Sequence, residues 1–278
     1  DLEKLTLPFM GEIPLSLKQG DKKKGLQRLL FKSAKKESKS ERQTVVVENG
    51  KRDVMNEAFR VLRTNLEFMT GKDKASNVIL LTSFNPGSGK TFLTMNIAVS
   101  LALKGKNVLV IDGDLRKAST SAYVGTPKQG LSDYLSGGVN EIDKLLISYK
   151  EYANFCILPV GTIPPNPTEL LYDPRFSQLI TEMRSRYDYV FIDCPPIDIM
   201  ADTQIIEQYV DRTIFIVRAG LLERSMLPEL ERIYKQKKYK NMALILNGTE
   251  GGSHRYGYKY GYKYGYKYGY HYGYTSKS

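Results

Sequence analysis

The sequence predicts an α/β fold, a mostly parallel sheet flanked by helices on both faces, and two observations carry that reading. Six short runs, at 78–83, 108–112, 155–159, 189–193, 213–217 and 243–247, are apolar at successive positions, as strands buried on both faces must be. Between several of them lie helical patterns, at 91–104, 175–186 and 226–238. Strands that alternate with helices build a parallel sheet, because each return crossover needs a dozen or more residues.

Taken in order, residues 1–17 (DLEKLTLPFMGEIPLSL) are apolar and broken by Pro8, Gly11 and Pro14, which predicts a short extended segment able to pack on something. Residues 18–43 are rich in Lys and Ser around a small apolar patch (Leu26, Leu29, Leu30, Phe31) and read as a solvated linker. Residues 44–249 form the body, which opens on an amphipathic helix at 54–69 with Phe59, Leu62, Leu66 and Met69 on one side. Residues 250–278 are a low-complexity tail. Its Tyr-Gly-Tyr-Lys repeat, with Gly at every fourth position and no compensating core, predicts a disordered chain.

Charge follows the same divisions. The chain carries +11 from 41 Lys+Arg against 30 Asp+Glu. Ten basic and three acidic residues at 18–42 contribute +7, and five basic and no acidic residues at 255–278 contribute +5. The body is therefore near neutral, which argues against a basic nucleic-acid-binding fold. Two Cys cannot build a disulfide framework in 278 residues and fit a reducing compartment. No apolar run approaches the 18 or so residues that span a bilayer.

The first strand leads into SFNPGSGKTFLTMNIA, which is strand, Gly-containing loop, Lys-Thr and helix in the order a phosphate-binding loop requires. Gly87, Ser88 and Gly89 let backbone N–H groups crowd around phosphate oxygens, Lys90 supplies a cation, and Thr91 at the helix start offers a hydroxyl to Mg²⁺. The match to the full pattern is partial, because Phe84 stands where its first Gly is usual. Two further strands end in carboxylates: VLVIDGDLRK in Asp112 and Asp114, whose spacing places both on one face, and YVFIDCPP in Asp193. A turn cap explains any one of these. Three beside a GKT predict a P-loop NTPase-like site for a nucleoside triphosphate and Mg²⁺.

These segments together resemble the Walker A, A′ and B motifs of bacterial tyrosine kinases. Glu57, Arg60 and Arg63 reproduce that family's E-x-x-R-x-x-R helix, and the tail resembles its tyrosine cluster. The resemblance implies an ATP-dependent protein-tyrosine kinase that autophosphorylates its tail and regulates capsular or exopolysaccharide synthesis and export. Tyr256, Tyr258, Tyr260, Tyr262, Tyr264, Tyr266, Tyr268, Tyr270, Tyr272 and Tyr274 would be the acceptors. It implies nucleotide contacts from the loop through Phe92 and catalytic roles for Lys90, Asp112 and Asp114. Thr91, Asp114 and Asp193 would hold Mg²⁺, while Asp112 would orient or deprotonate the tyrosine hydroxyl. Spacing alone does not divide those roles between Asp112 and Asp114. Asn247 is either an adenine contact or one half of a strand-ending Asn-Gly turn. Glu57, Arg60 and Arg63 would dock one subunit on the next in a ring, with transfer in trans; the plain alternative is an exposed helix with Glu/Arg pairing.

The start, LPFMGEIP, is similar to the segment after the second transmembrane helix of polysaccharide co-polymerase kinases. It implies the cytoplasmic domain of a bacterial inner-membrane protein, joined to a periplasmic part and served by a cognate phosphotyrosine phosphatase. Two other function classes compete with the kinase. A partitioning-type ATPase switch shares the fold, but carries a signature Lys where this chain has Asn85. A nucleic-acid platform made of the Tyr/Lys tail lacks any accompanying nucleic-acid-binding fold.

Overall fold

The computed structural model describes residue 2 and residues 5–15, 45–71, 77–150, 152–197 and 201–250. The whole basic linker at 18–43 and residues 251–278, with the ten tyrosines of the tail, lie outside the described residues.

Eight strands form one sheet: β1 (Phe9–Pro14), β2 (Val78–Thr82), β3 (Val108–Asp112), β4 (Ile147–Tyr149), β5 (Tyr152–Leu158), β6 (Tyr189–Asp193), β7 (Arg212–Arg218) and β8 (Ala243–Thr249). Their spatial order is β1-β8-β7-β2-β6-β3-β5-β4, and all pair in parallel except the short β4, which runs antiparallel to β5. The six predicted strands are all present, and the two edge strands are additional. β1 is the extended segment expected near the start. It adds to the sheet beside β8, so residues 9–14 are built into the body rather than preceding it. β4 has three residues and no apolar run, which is why alternation did not reveal it.

Alternation along the central strands sorts side chains onto two faces. Ile79 and Leu81 face one cluster with Val108, Val110 and Phe191; Val78 and Leu80 face the other with Leu109, Ile111, Val190 and Ile192. The first face is covered by α1 (Val54–Thr70) and α2 (Lys90–Ala102), the second by α3 (Leu131–Leu135), α4 (Pro167–Leu171), α5 (Pro174–Arg186) and α6 (Asp202–Glu207). The last helix, α7 (Leu227–Lys235), packs Leu230 and Ile233 over Phe215 and Leu244. Phe59, Leu62 and Leu66 of α1 are fully buried as predicted, while Met69 is only partly covered. Each such burial stabilises by about 1.5–3 kcal/mol. At its start, Asp53 caps α1 by accepting from the Asn56 N–H at 2.8 Å.

Topology places the site. The chain leaves β2, forms α2 and returns as β3, but β6 lies between those two strands. The carboxyl ends of β2, β6 and β3 therefore sit side by side, and in parallel sheets that end is where ligands bind.

Candidate active site

The loop between β2 and α2 is built from two left-handed glycines, Gly87 at φ +77° and Gly89 at φ +94°. These turn the chain so that α2 begins at Lys90 with its unpaired N–H groups at the loop. Neighbouring strand ends fasten the loop. Arg218, at the end of β7, donates from Nη1 to the Gly87 carbonyl at 2.8 Å, and Asn247 of β8 donates from Nδ2 to the Ser88 carbonyl at 2.8 Å. The two strands pair at that level, Arg218 against Asn247.

Of the two expectations for Asn247, the structure excludes the strand-ending turn. β8 runs through it to Thr249, so no strand-ending turn forms there. Its amide is occupied with the loop backbone. The Phe92 ring lies edge-on to Phe59 at 5.9 Å and joins the core under α1. Its backbone lies in the first turn of α2, next to the loop.

Lys90 extends back to Ser83 Oγ at 3.2 Å, and burial pulls its ammonium below the usual lysine range against the pull of Asp193 and Asp114. The Thr91 hydroxyl donates to Asp193 Oδ2 at 2.6 Å, tying the loop to the end of β6. Asp112 and Asp193 are register partners across β3 and β6. Both are fully buried, and desolvation raises both; the Asp193 charge adds to this for Asp112, whose carboxyl is pushed up to about 8. Each leaves its Oδ1 without a hydrogen bond from any described residue.

Asp114 departs from the expected geometry. β3 stops at Asp112, so the strand alternation that was to place both carboxylates on one face does not reach it. Its Oδ1 accepts from the backbone N–H groups of Arg116 at 3.3 Å and Lys117 at 3.1 Å, capping the next turn. Consequently no group of three Asp, Glu, His or Cys among the described residues is arranged to hold a metal unaided. The donors still fit Mg²⁺, which keeps water ligands and takes one or two carboxylates together with phosphate oxygens. With its proton directed to Asp193, the Thr91 hydroxyl keeps lone pairs for a cation, and two buried carboxylates with orphaned oxygens call for positive charge.

Several residues here carried no sequence signal. Thr120 and Ser121 bond Asp193 and Asp112, Arg218 holds the loop, and Asp202 receives Arg116 Nε at 3.4 Å and the Thr168 hydroxyl at 2.6 Å. Each comes from a loop, a strand end or the start of a helical turn that the tertiary fold brings near.

On α1, Glu57 pairs with Arg60, whose Nη2 also donates to the Lys51 carbonyl at 3.0 Å. Arg63 instead turns inward and donates to the Ser100 carbonyl of α2 at 2.9 Å. The helix thus presents Glu57 and part of Arg60 outward and uses Arg63 within the subunit.

A family model described as an AAA domain matches residues 76–217, half of the chain, and includes the loop and both carboxylate strands. Tyrosine-protein kinase CpsD of Streptococcus agalactiae is 34% identical over 204 residues, covering 72% of this chain and 85% of CpsD. The chain belongs to the bacterial tyrosine kinase family. Another family member, tyrosine-protein kinase Wzc of Salmonella typhimurium, is 38% identical over 213 residues, or 74% of this chain and 29% of Wzc. Longer members thus extend well beyond it: the chain spans 27% to 35% of their length. The kinase domain of Escherichia coli tyrosine kinase ETK has the same fold, with a TM-score of 0.72 and 28% identity over 96% of this chain and 95% of that one. Among the described residues no helix is long and apolar enough to cross a membrane.

Proposed function

We propose that the chain is the ATP-dependent tyrosine kinase domain of a larger bacterial protein that regulates capsular or exopolysaccharide export, and that its substrate is its own tail, residues 250–278. The observation that carries the reading is the 2.6 Å bond from Thr91 to Asp193 beside Lys90, in a chain that ends in ten closely spaced tyrosines.

Phosphoryl transfer asks the protein for position and charge neutralisation. Lys90 and the loop amides hold the β- and γ-phosphates, and Thr91 with Asp193 and Asp114 forms the Mg²⁺ side of the site. Bound Mg²⁺ supplies positive charge to the phosphoryl oxygens during transfer. As the bond from the γ-phosphorus to the bridging oxygen of ADP breaks and one to a tyrosine oxygen forms, Asp112 Oδ1 orients or receives the hydroxyl proton. Its other oxygen is already engaged.

Transfer runs in trans within a ring. Support comes from α1, where Val54, Val61 and Phe68 recur every seven residues and are 67%, 53% and 80% exposed, on the side that also carries Glu57. An apolar stripe of this kind fits a facing subunit. A cytoplasmic position under the inner membrane, a periplasmic part in the same parent protein and a phosphotyrosine phosphatase as antagonist complete the reading.

Mass spectrometry of the purified chain after incubation with ATP and Mg²⁺ should find phosphate on tyrosines between 256 and 274, lost in Lys90→Met. Mixing Lys90→Met carrying the tail with active chain truncated at residue 250 should restore labelling. ATP hydrolysis without phosphotyrosine would instead establish the ATPase switch.

A further inference from the structure

The structure assigns to Thr120 and Ser121 a shared positioning role: they select which oxygen of Asp193 and Asp112 remains available to the reaction. The inference rests on the kinase reading above. Both residues are buried at the start of a 3₁₀ turn, Ser121–Val124, and no motif covers them.

Ser121 grips Asp112 twice, its N–H and its Oγ each lying 2.7 Å from Oδ2. The hydroxyl cannot rotate away. The Val160 N–H donates to the same Oγ at 2.8 Å, so the single hydroxyl proton is committed to Asp112. Thr120 Oγ1 donates to Asp193 Oδ2 at 2.8 Å, the same oxygen that receives Thr91. In both carboxylates Oδ2 is saturated and Oδ1 has no partner among the described residues.

One dipeptide can serve both because of a match in spacing. Consecutive Cα atoms lie about 3.8 Å apart, and paired strands about 4.8 Å. Asp112 and Asp193 are direct register partners. Two successive hydroxyl residues laid across those strand ends therefore meet one carboxylate each. Without the two hydroxyls each carboxylate keeps a single anchor, Thr91 on Asp193 and the Ser121 N–H on Asp112, so each gains freedom about χ2 and the direction of its bare Oδ1 loosens.

The test uses the full chain with its tail and four variants: Thr120→Val, Thr120→Ser, Ser121→Ala and Ser121→Thr. Thermal melts check folding. Tail phosphorylation gives kcat and the KM for ATP, and a fluorescent ADP analogue reports nucleotide affinity with and without Mg²⁺. Thr120→Val and Ser121→Ala should each lower kcat by about 10–100-fold, the usual loss when an outer residue stops orienting a ligating group, with KM within about twofold. The hydroxyl-retaining variants should recover most of the rate. Thr120→Val should also reduce the gain in ADP affinity that Mg²⁺ brings, leaving Mg²⁺-free affinity unchanged.

Wild-type kcat in Thr120→Val and Ser121→Ala overturns the assignment, as does a loss that Thr120→Ser and Ser121→Thr fail to restore. Should Ser121→Ala not fold, because the Val160 N–H loses its acceptor, the Thr120 pair decides. If the wild-type chain forms no phosphotyrosine, the kinase reading fails. The effect of Thr120→Val on Mg²⁺-dependent ADP binding then still decides whether the clamp on Asp193 exists.

Discussion

Replacing Gly89 with Ala should destabilise the chain well beyond the same change at Gly87, and the structure indicates by how much. Both glycines have positive φ, so either substitution carries the strain of a left-handed non-Gly residue, about 1–2 kcal/mol. At Gly87 an added Cβ meets nothing within 4 Å, and strain is the whole cost. At Gly89 the Cβ would lie 2.2 Å from Asn247 Nδ2, the atom that donates to the Ser88 carbonyl. The amide must move and its hydrogen bond is lost, adding about 1 kcal/mol. Gly89→Ala should therefore cost about 2–3 kcal/mol. Asn247→Ala alone should cost about 1 kcal/mol for the same bond. The double variant should be no less stable than Gly89→Ala, because that bond is already broken, a non-additivity of about 1 kcal/mol. Urea unfolding followed by circular dichroism measures all four, since the chain has no Trp for fluorescence. Gly89→Ala matching Gly87→Ala, or a double variant equal to the sum of the singles, would refute the coupling of β8 to the loop.

Further outcomes follow from α1. Asp53→Ala should destabilise by about 1 kcal/mol through loss of the helix cap, while Asp53→Asn keeps most of the cap. The side-chain and backbone hydrogen bonds from Asn56 hold the Asp53 carboxyl below its ordinary value, so its charged-form contribution is present above the unfolded pKa and lost as pH falls through the folded one. Acid unfolding curves should show that loss in wild type and not in Asp53→Asn. Glu57→Ala breaks only an exposed pair and should leave the melting temperature nearly unchanged while light scattering shows smaller assemblies. Arg63→Ala, which removes the bond to the Ser100 carbonyl, should lower the melting temperature of the subunit itself. The reverse pattern would assign the two residues the opposite way.

What was legible in the chain was whatever local order enforces. Doubly apolar runs announced the six inner strands, because a strand buried on both faces has no polar side to show. The order strand, glycine loop, Lys-Thr and helix located the phosphate loop, since glycine is needed wherever the backbone turns left-handed, as at Gly87 and Gly89. Neither edge strand was announced by an apolar run, although the segment that forms β1 was expected to be extended. β1 carries Gly11 and Pro14, β4 has three residues, and neither needs an apolar run when one of its sides has no strand to pair with.

The division of labour at the site was decided elsewhere. From spacing, Asp112 and Asp114 looked alike, yet the strand ends between them: one becomes a buried partner of Asp193 and the other caps its own turn. Asn247, Arg218, Thr120 and Ser121 stand far from the loop or from Asp193 in the chain, and a hydroxyl or amide has no pattern that marks its partner. The sequence by itself determined that phosphate-binding chemistry sits at strand ends, since that depends on residues adjacent along the chain. Which oxygens of which carboxylates stay open was settled by the tertiary structure alone, because hydrogen-bond direction depends on groups that meet only when β6 inserts between β2 and β3.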